Sequence, residues 1–267
     1  MSGYELQPLS TQRFLVWDLL RDTDPYYLNH QIVLVDFTTV DEFRAQFASA
    51  GEEKPSYVAC VLYAMTQVLP KYPVFNAYLR EWPWVRLALY ENMDIAYTTE
   101  KEGPEGKPIL TLSMLRNCGE LSFSEFNARF NEQKTASLEE LGYRRTHQLF
   151  GLIPNFLRMT LFRLFCKPFP NIMRRIAGTV GFTSVGKHGV DFTTPLSPKS
   201  LTLSLGSVKK RPVVSGDDVV SRQSAYITLT YDHRVADGKD CASFGADIRQ
   251  FLEVTIKDIE AKEVKDK

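Results

Sequence analysis

Two runs in the last third of the chain alternate polar and apolar residues: Ser200-Leu201-Thr202-Leu203-Ser204-Leu205-Gly206 and Ser224-Ala225-Tyr226-Ile227-Thr228-Leu229-Thr230. Successive side chains of a β-strand point to opposite faces, so each run specifies a strand, and the first a strand with one buried face. The second leads directly into Tyr231–Gly238 and then into a helix expected over Cys241–Thr255. Where a strand gives way to a loop, a rigid scaffold can hold a side chain at the edge of a cleft. His233 occupies that junction; the other histidines are His30, His147 and His188. Asp237 follows four residues later, and then Gly238, which tolerates backbone turns that other residues resist. Asp-Gly after a strand is also ordinary turn chemistry. The spacing alone therefore leaves open both a plain turn and a catalytic histidine.

The rest of the chain predicts a mixture of elements. Pro8–Asp24 has apolar residues at helical spacing behind a candidate N-cap, Ser10. A strand over His30–Thr38 precedes helices over Val40–Ala48 and Tyr57–Leu69. Strands follow over Val85–Tyr90, Asp94–Thr99 and Ile109–Leu115, then a polar helix capped by Ser122 or Ser124 and running towards Glu140. This order lacks regular βαβ repetition, so it predicts mixed α/β and not a doubly wound parallel sheet. His30 has no carboxylate or nucleophile at suggestive spacing and reads as structural.

With 267 residues, the chain suits one domain over 1–256 with a charged tail over 257–267. Lys+Arg and Asp+Glu both number 32, so no net charge steers it to nucleic acid. Cys60, Cys118, Cys166 and Cys241 are scattered. No close pair suggests a metal or a redox couple, and a reducing, cytoplasmic setting is expected. The N-terminus lacks a basic start followed by an apolar run, and no apolar stretch approaches the ~20 residues of a membrane span.

Residues 141–190 contain no Asp or Glu but eight Lys and Arg, among many large apolar side chains. Pro154 and Pro168 are placed to start and stop a helix there. Three readings compete for the segment over 141–176: a helix covering the core or a subunit contact, a face for an acidic partner such as an acyl carrier or coenzyme A phosphates, and a membrane-surface helix.

Tyr231-Asp232-His233-Arg234-Val235-Ala236-Asp237-Gly238 resembles the His-x-x-x-Asp-Gly signature shared by chloramphenicol acetyltransferase and the catalytic domain of 2-oxoacid dehydrogenase dihydrolipoyl acyltransferases, and is closest to the second group. Asp232 stands where peptide-synthetase condensation domains usually carry a second histidine. Further segments are similar to the same family. Pro8-Leu9-Ser10 with Arg13 matches its Pro-Leu-Ser-x-x-Arg opening, and Pro73–Ala77 its His-Pro-x-x-Asn-Ala. Gly178–Val190 matches its Gly-Thr-Phe-Thr-x-Ser/Thr-Asn segment, and Gly206–Val213 its Gly-x-Val-x-x-Arg-Pro-Val. The resemblance spans Pro8 to Leu252, is strongest from Gly178 onward, and is weaker over Leu141–Ile176.

That resemblance implies a two-layer α/β sandwich with a mixed β-sheet, as in chloramphenicol acetyltransferase. It implies transfer of an acyl group from a thioester, acyl-coenzyme A or an acylated carrier, to a thiol or other nucleophile, without a metal. His233 would be the general base, and Thr183, or alternatively Ser184, would steady the oxyanion. Asp237 would pair with Arg13 to fix the loop, with Gly238 beside it. His233 and the hydroxyl would come from neighbouring subunits of a homotrimer or a multiple of trimers, with an acidic acyl-carrier or lipoyl partner. Ser184 stands where the family commonly has Asn. No segment outside the catalytic region is long enough for a lipoyl domain, so a stand-alone form is expected. The chemistry is self-consistent: a thiol with a pKa near ~8.5 needs a base, imidazole titrates near ~6.5, and a hydroxyl aimed at an oxyanion contributes about 3 kcal/mol. Two alternatives are an inactive scaffold subunit and a carrier- or membrane-binding module.

Overall fold

The computed structural model describes Leu20 and residues 27–49, 53–102, 108–137 and 153–259. The expected helix over Pro8–Asp24 with Ser10 and Arg13 (Leu20 apart), His147, and the tail beyond Ile259 lie outside the described residues. Among the described residues the chain forms a seven-stranded mixed sheet in the order β1-β9-β7-β6-β4-β5, with β8 paired to the first half of β9. The strands are β1 (Leu28–Asp36), β4 (Ile95–Glu102), β5 (Pro108–Leu115), β6 (Val180–Ser184), β7 (Leu201–Leu205), β8 (Lys209–Ser215) and β9 (Asp218–Asp232). β6 runs parallel to β4 and to β7; the other pairings are antiparallel. A separate hairpin joins β2 (Ala77–Arg80) to β3 (Arg86–Leu89).

Residue parity divides the sheet into two faces. Leu201, Leu203 and Leu205 of β7 share a face with Ile227, Leu229 and Tyr231 of β9, and all six are buried. On this face pack α1 (Thr38–Ser49), α2 (Tyr57–Val68), α3 (Phe123–Thr135) and α6 (Gly238–Glu253). Ser56 caps α2 through the Ala59 amide. Ser122 and Glu125 close a capping box on α3, satisfying two donors that the first helical turn leaves free. Phe43, Tyr63 and Phe123 meet edge to face, with centroids 4.8 and 5.1 Å apart, and lock α1, α2 and α3 together. Gly245 lets α6 settle onto the sheet, because a Cβ there would stand 2.8 Å from Leu229.

The opposite face carries hydroxyls: Thr202 and Ser204 of β7, Thr228 and Thr230 of β9, and Thr183 of β6. The expectation of a single buried face for β7 is corrected, since all five of its residues are buried. The segment between β6 and β7 folds over this side, and Thr202 donates to Ser197 Oγ at 2.6 Å and Ser204 to the Thr193 carbonyl at 2.8 Å. Polar parity predicts a wet face, but the covering segment buries most of it and partners Thr202 and Ser204, while the Thr228 hydroxyl is buried without a hydrogen-bond partner among the described residues.

Several boundaries differ from expectation. β1 begins two residues early, α3 ends at Thr135 where Ala136 turns extended, and ordered structure continues through Ile259. β2, β6 and a short helix, α5 (Pro170–Ala177), have no predicted counterpart. The helix expected between Pro154 and Pro168 is present as α4 (Asn155–Phe165).

Candidate active site

β9 ends at Asp232, α6 starts at Gly238, and the loop between them holds His233. Its backbone amide donates to the Tyr27 carbonyl at 2.7 Å, and its exposed ring leans on Tyr231 with centroids 5.5 Å apart. The neighbouring residues fasten the loop. Asp232 accepts from the Arg234 amide at 2.9 Å and from its guanidinium at 2.7 Å, and Arg234 reaches on to Glu81 at 2.7 Å. These carboxylates, Asp232 foremost, raise the already high pKa of Arg234. The histidine thus has a pinned backbone and an accessible ring.

Asp237 is the N-cap of α6, with Oδ1 accepting from the Lys239 and Asp240 amides at 3.0 and 3.2 Å. Its expected partner, Arg13, lies outside the described residues. Gly238 is the first residue of α6, and its carbonyl accepts from Gln31 at 2.9 Å. It is not among the glycines with positive φ, so the turn freedom expected of it goes unused.

Thr183 and Ser184 stand on consecutive positions of β6 and so point to opposite faces. Ser184 donates to the Leu205 carbonyl at 2.9 Å. Thr183 is half-buried, with its hydroxyl 2.8 Å from that of Thr98 on β4. Beyond it, Glu100 holds Lys187 and, at 3.2 Å, His188, and these hydrogen bonds keep its carboxyl below the usual range. Thr98 has no signature in the sequence, because only strand register sets it beside Thr183.

Register also separates the two catalytic candidates. Thr183 lies beside Ser204, Ser204 lies beside Thr228, and Thr228 precedes His233 by five residues. At ~3.3 Å per strand residue and ~4.8 Å per strand step, His233 and Thr183 are on the order of 20 Å apart. Within one chain they do not meet.

A cavity of about 310 Å³ opens beside the His233 loop, lined by Tyr27, Phe162, Lys167, Lys199, Asp232 and Arg234 among others. Its charges are already partnered: Arg234 with Asp232 and Glu81, Lys167 with Glu81, and Lys199 with the Ala177 and Gly178 carbonyls. Lys199 keeps part of its surface open, but its ammonium is enclosed. Burial first, then nearby Arg116, pushes its pKa down to about 7. His30 bonds Thr230 at 2.8 Å, and burial lowers its pKa, which fits a structural part. Among the described residues, no three His, Cys, Asp or Glu gather to hold a metal.

Comparison with known proteins matches residues 16–141 and 176–259 to the family described as 2-oxoacid dehydrogenases acyltransferase (catalytic domain). The succinyltransferase component of the 2-oxoglutarate dehydrogenase complex of Haemophilus influenzae is 26% identical over 225 residues, covering 82% of this chain and 46% of that protein. The mitochondrial succinyltransferase component of 2-oxoglutarate dehydrogenase complex 1 of Arabidopsis thaliana is 24% identical over 225 residues, covering 82% and 41%. The chain thus spans under half the length of these relatives. Among solved structures, a probable dihydrolipoamide acetyltransferase from Listeria monocytogenes superposes with a TM-score of 0.69 at 18% identity, over 95% of this chain and 96% of that one. The cubic core of the pyruvate dehydrogenase multienzyme complex gives 0.69 at 20% identity, over 97% and 95%. The mixed sheet with its helical layer is therefore the fold of those cores.

Proposed function

The chain belongs to the 2-oxoacid dehydrogenase acyltransferase (catalytic domain) family, and from that premise we propose that it moves an acyl group from a thioester, acyl-coenzyme A or an acylated carrier, to a thiol acceptor. His233 takes the proton of the incoming thiol as its sulfur attacks the thioester carbonyl carbon. The carbonyl π pair moves to oxygen, where the Thr183 hydroxyl donates to the oxyanion. Collapse re-forms the carbonyl and breaks the bond to the donor sulfur, which leaves with the proton from His233. Thr183 is favoured over Ser184 because the Ser184 hydroxyl already serves a backbone carbonyl.

The observation that carries the reading is the His233 loop, whose backbone is anchored while the ring stands outside the core. The separation of His233 from Thr183 supports a homotrimer in which one copy supplies the base and its neighbour the hydroxyl. A core of the same fold is named as part of a multienzyme complex. An acidic acyl carrier or lipoyl group is the acceptor class this reading favours. A cytoplasmic setting is in keeping with four free thiols.

The test is release of free coenzyme A from a panel of acyl-coenzyme A donors with dihydrolipoamide as acceptor. His233→Ala lowers kcat by about 10³-fold while light scattering reports an unchanged oligomer. Turnover that survives this substitution removes His233 as the base, and no turnover with any donor makes the chain a scaffold instead.

A further inference from the structure

We infer that α4 and α5 form a docking face for an anionic lipid bilayer surface, with the helices lying along it. The apolar side chains of α4 are arranged inside out. Leu157, Leu161, Leu164 and Phe165 recur at helical spacing on its outer side, and Leu164 and Phe165 are each 60% exposed. Arg158 and Met159 face inward and are buried. α5 continues the pattern, with Ile172 and Ile176 outward while Met173 and Ala177 are buried. A helix normally turns its apolar stripe to the core, so two consecutive helices turning it outward mark a surface that something covers.

Charge selects the occupant. Residues 141–190 hold eight basic residues and no acidic one; among the described ones Arg158 is buried and Lys167, Arg174 and Lys187 are paired with Glu81, Asp94 and Glu100, while Arg163 and Arg175 are exposed alongside the stripe. Aliphatic and aromatic side chains flanked by cations suit the boundary between headgroups and acyl chains of a bilayer with negative lipids. A second copy placed face to face would oppose the exposed Arg175 to its own equivalent, a like-charge contact that disfavours that occupant. Among the described residues no helix is long and apolar enough to cross a membrane, so the helices lie on it.

Two further features support the assignment. The family match stops at 141 and resumes at 176, so the sequence of most of this face departs from the shared pattern. Trp82 and Trp84, each 69% exposed, sit on the β2–β3 connection. That hairpin is tied to the α4–α5 junction by Lys167 with Glu81 at 3.3 Å and by Tyr78 donating to the Lys167 carbonyl at 2.9 Å. Indoles at the edge of such a face favour the interfacial layer.

The experiment is flotation of the full chain with vesicles of phosphatidylcholine alone or mixed equally with phosphatidylglycerol, at low and high salt. Binding to the mixed vesicles at low salt is expected to exceed that to pure phosphatidylcholine by at least about tenfold and to fall as salt rises. Leu161→Glu with Leu164→Glu abolishes it, and Arg175→Glu weakens it several-fold; circular dichroism and an unchanged thermal unfolding midpoint confirm that both variants fold. Should the double variant unfold, the lipid and salt dependence of the unaltered chain and a blue shift of its tryptophan emission on the mixed vesicles still decide. No flotation with mixed vesicles at low salt overturns the inference, as does flotation indifferent to the folded variants. So does a change of oligomer size in the double variant, which gives the face to a second copy. Saturable binding of an acidic carrier protein without vesicle binding gives it to a protein and equally overturns it. None of these results bears on acyl transfer.

Discussion

At the β9–α6 end of the sheet, His233 sits on a loop tied to the neighbouring hairpin by Arg234, Asp232 and Glu81. At the far end, Thr183 lies on a short parallel strand with another hydroxyl for company. One end offers an exposed ring that can accept a proton, and the other a half-buried group that can donate to an anion. Neither end holds both. A folded single copy thus keeps the two proposed catalytic groups on the order of 20 Å apart. Chemistry of the proposed kind needs the base end of one copy against the donor end of another.

The largest effect that can break this comparison comes from subunit mixing. His233→Ala and Thr183→Val chains should each be nearly inactive, with kcat reduced by about 10²–10⁴-fold. Unfolded together and refolded as mixed trimers, they should regain about one quarter of the sites, since half the bases and half the hydroxyls survive independently. No regain, measured as coenzyme A release, means that both groups act within one copy or that one of them does not act. A smaller effect sharpens the donor end. Thr98→Val removes the hydroxyl beside Thr183 and should lower kcat about tenfold or less with KM nearly unchanged, whereas Thr98→Ser restores it. The smallest concerns the base end: Asp237→Ala removes the α6 cap and should cost about 1 kcal/mol in denaturant unfolding, with Asn recovering most of it. A loss of turnover beyond that explained by stability would give Asp237 a part in positioning His233.

Legibility in the sequence follows the physics of each element. The alternating runs of β7 and β9 and the apolar helix α2 are readable because periodicity records which face is buried; the expected helix over Tyr57–Leu69 differs from the observed Tyr57–Val68 by one residue. β2 spans four residues before Glu81 and Trp82, too short for alternation to register. α5 is eight residues long and opens on Pro170, which reads as the end of the previous helix as readily as the start of a new one. Burial of both faces of β7 depends on a covering segment far more irregular than a strand, and no pattern within β7 records it. His233 is visible because its motif is local. The Thr98–Thr183 contact and the distance between the half-sites are products of register, which pairs residues 85 positions apart without a trace in either stretch.

Asp94 at the start of β4 accepts from Arg116 at 3.0 Å and from Arg174 at 2.9 Å, while Arg116 also donates to the last carbonyls of α5. Burial alone would raise the carboxyl of Asp94; the hydrogen bonds from Arg174, the Asn117 amide and Arg116 outweigh it and hold it low. α5 is thereby welded to the strand that carries Thr98, and its own chain passes through Gly178 straight into the strand that carries Thr183. The strands that carry Thr98 and Thr183 are both footed on Asp94, the second through the Asp94 carbonyl, which accepts from the Thr179 and Val180 amides.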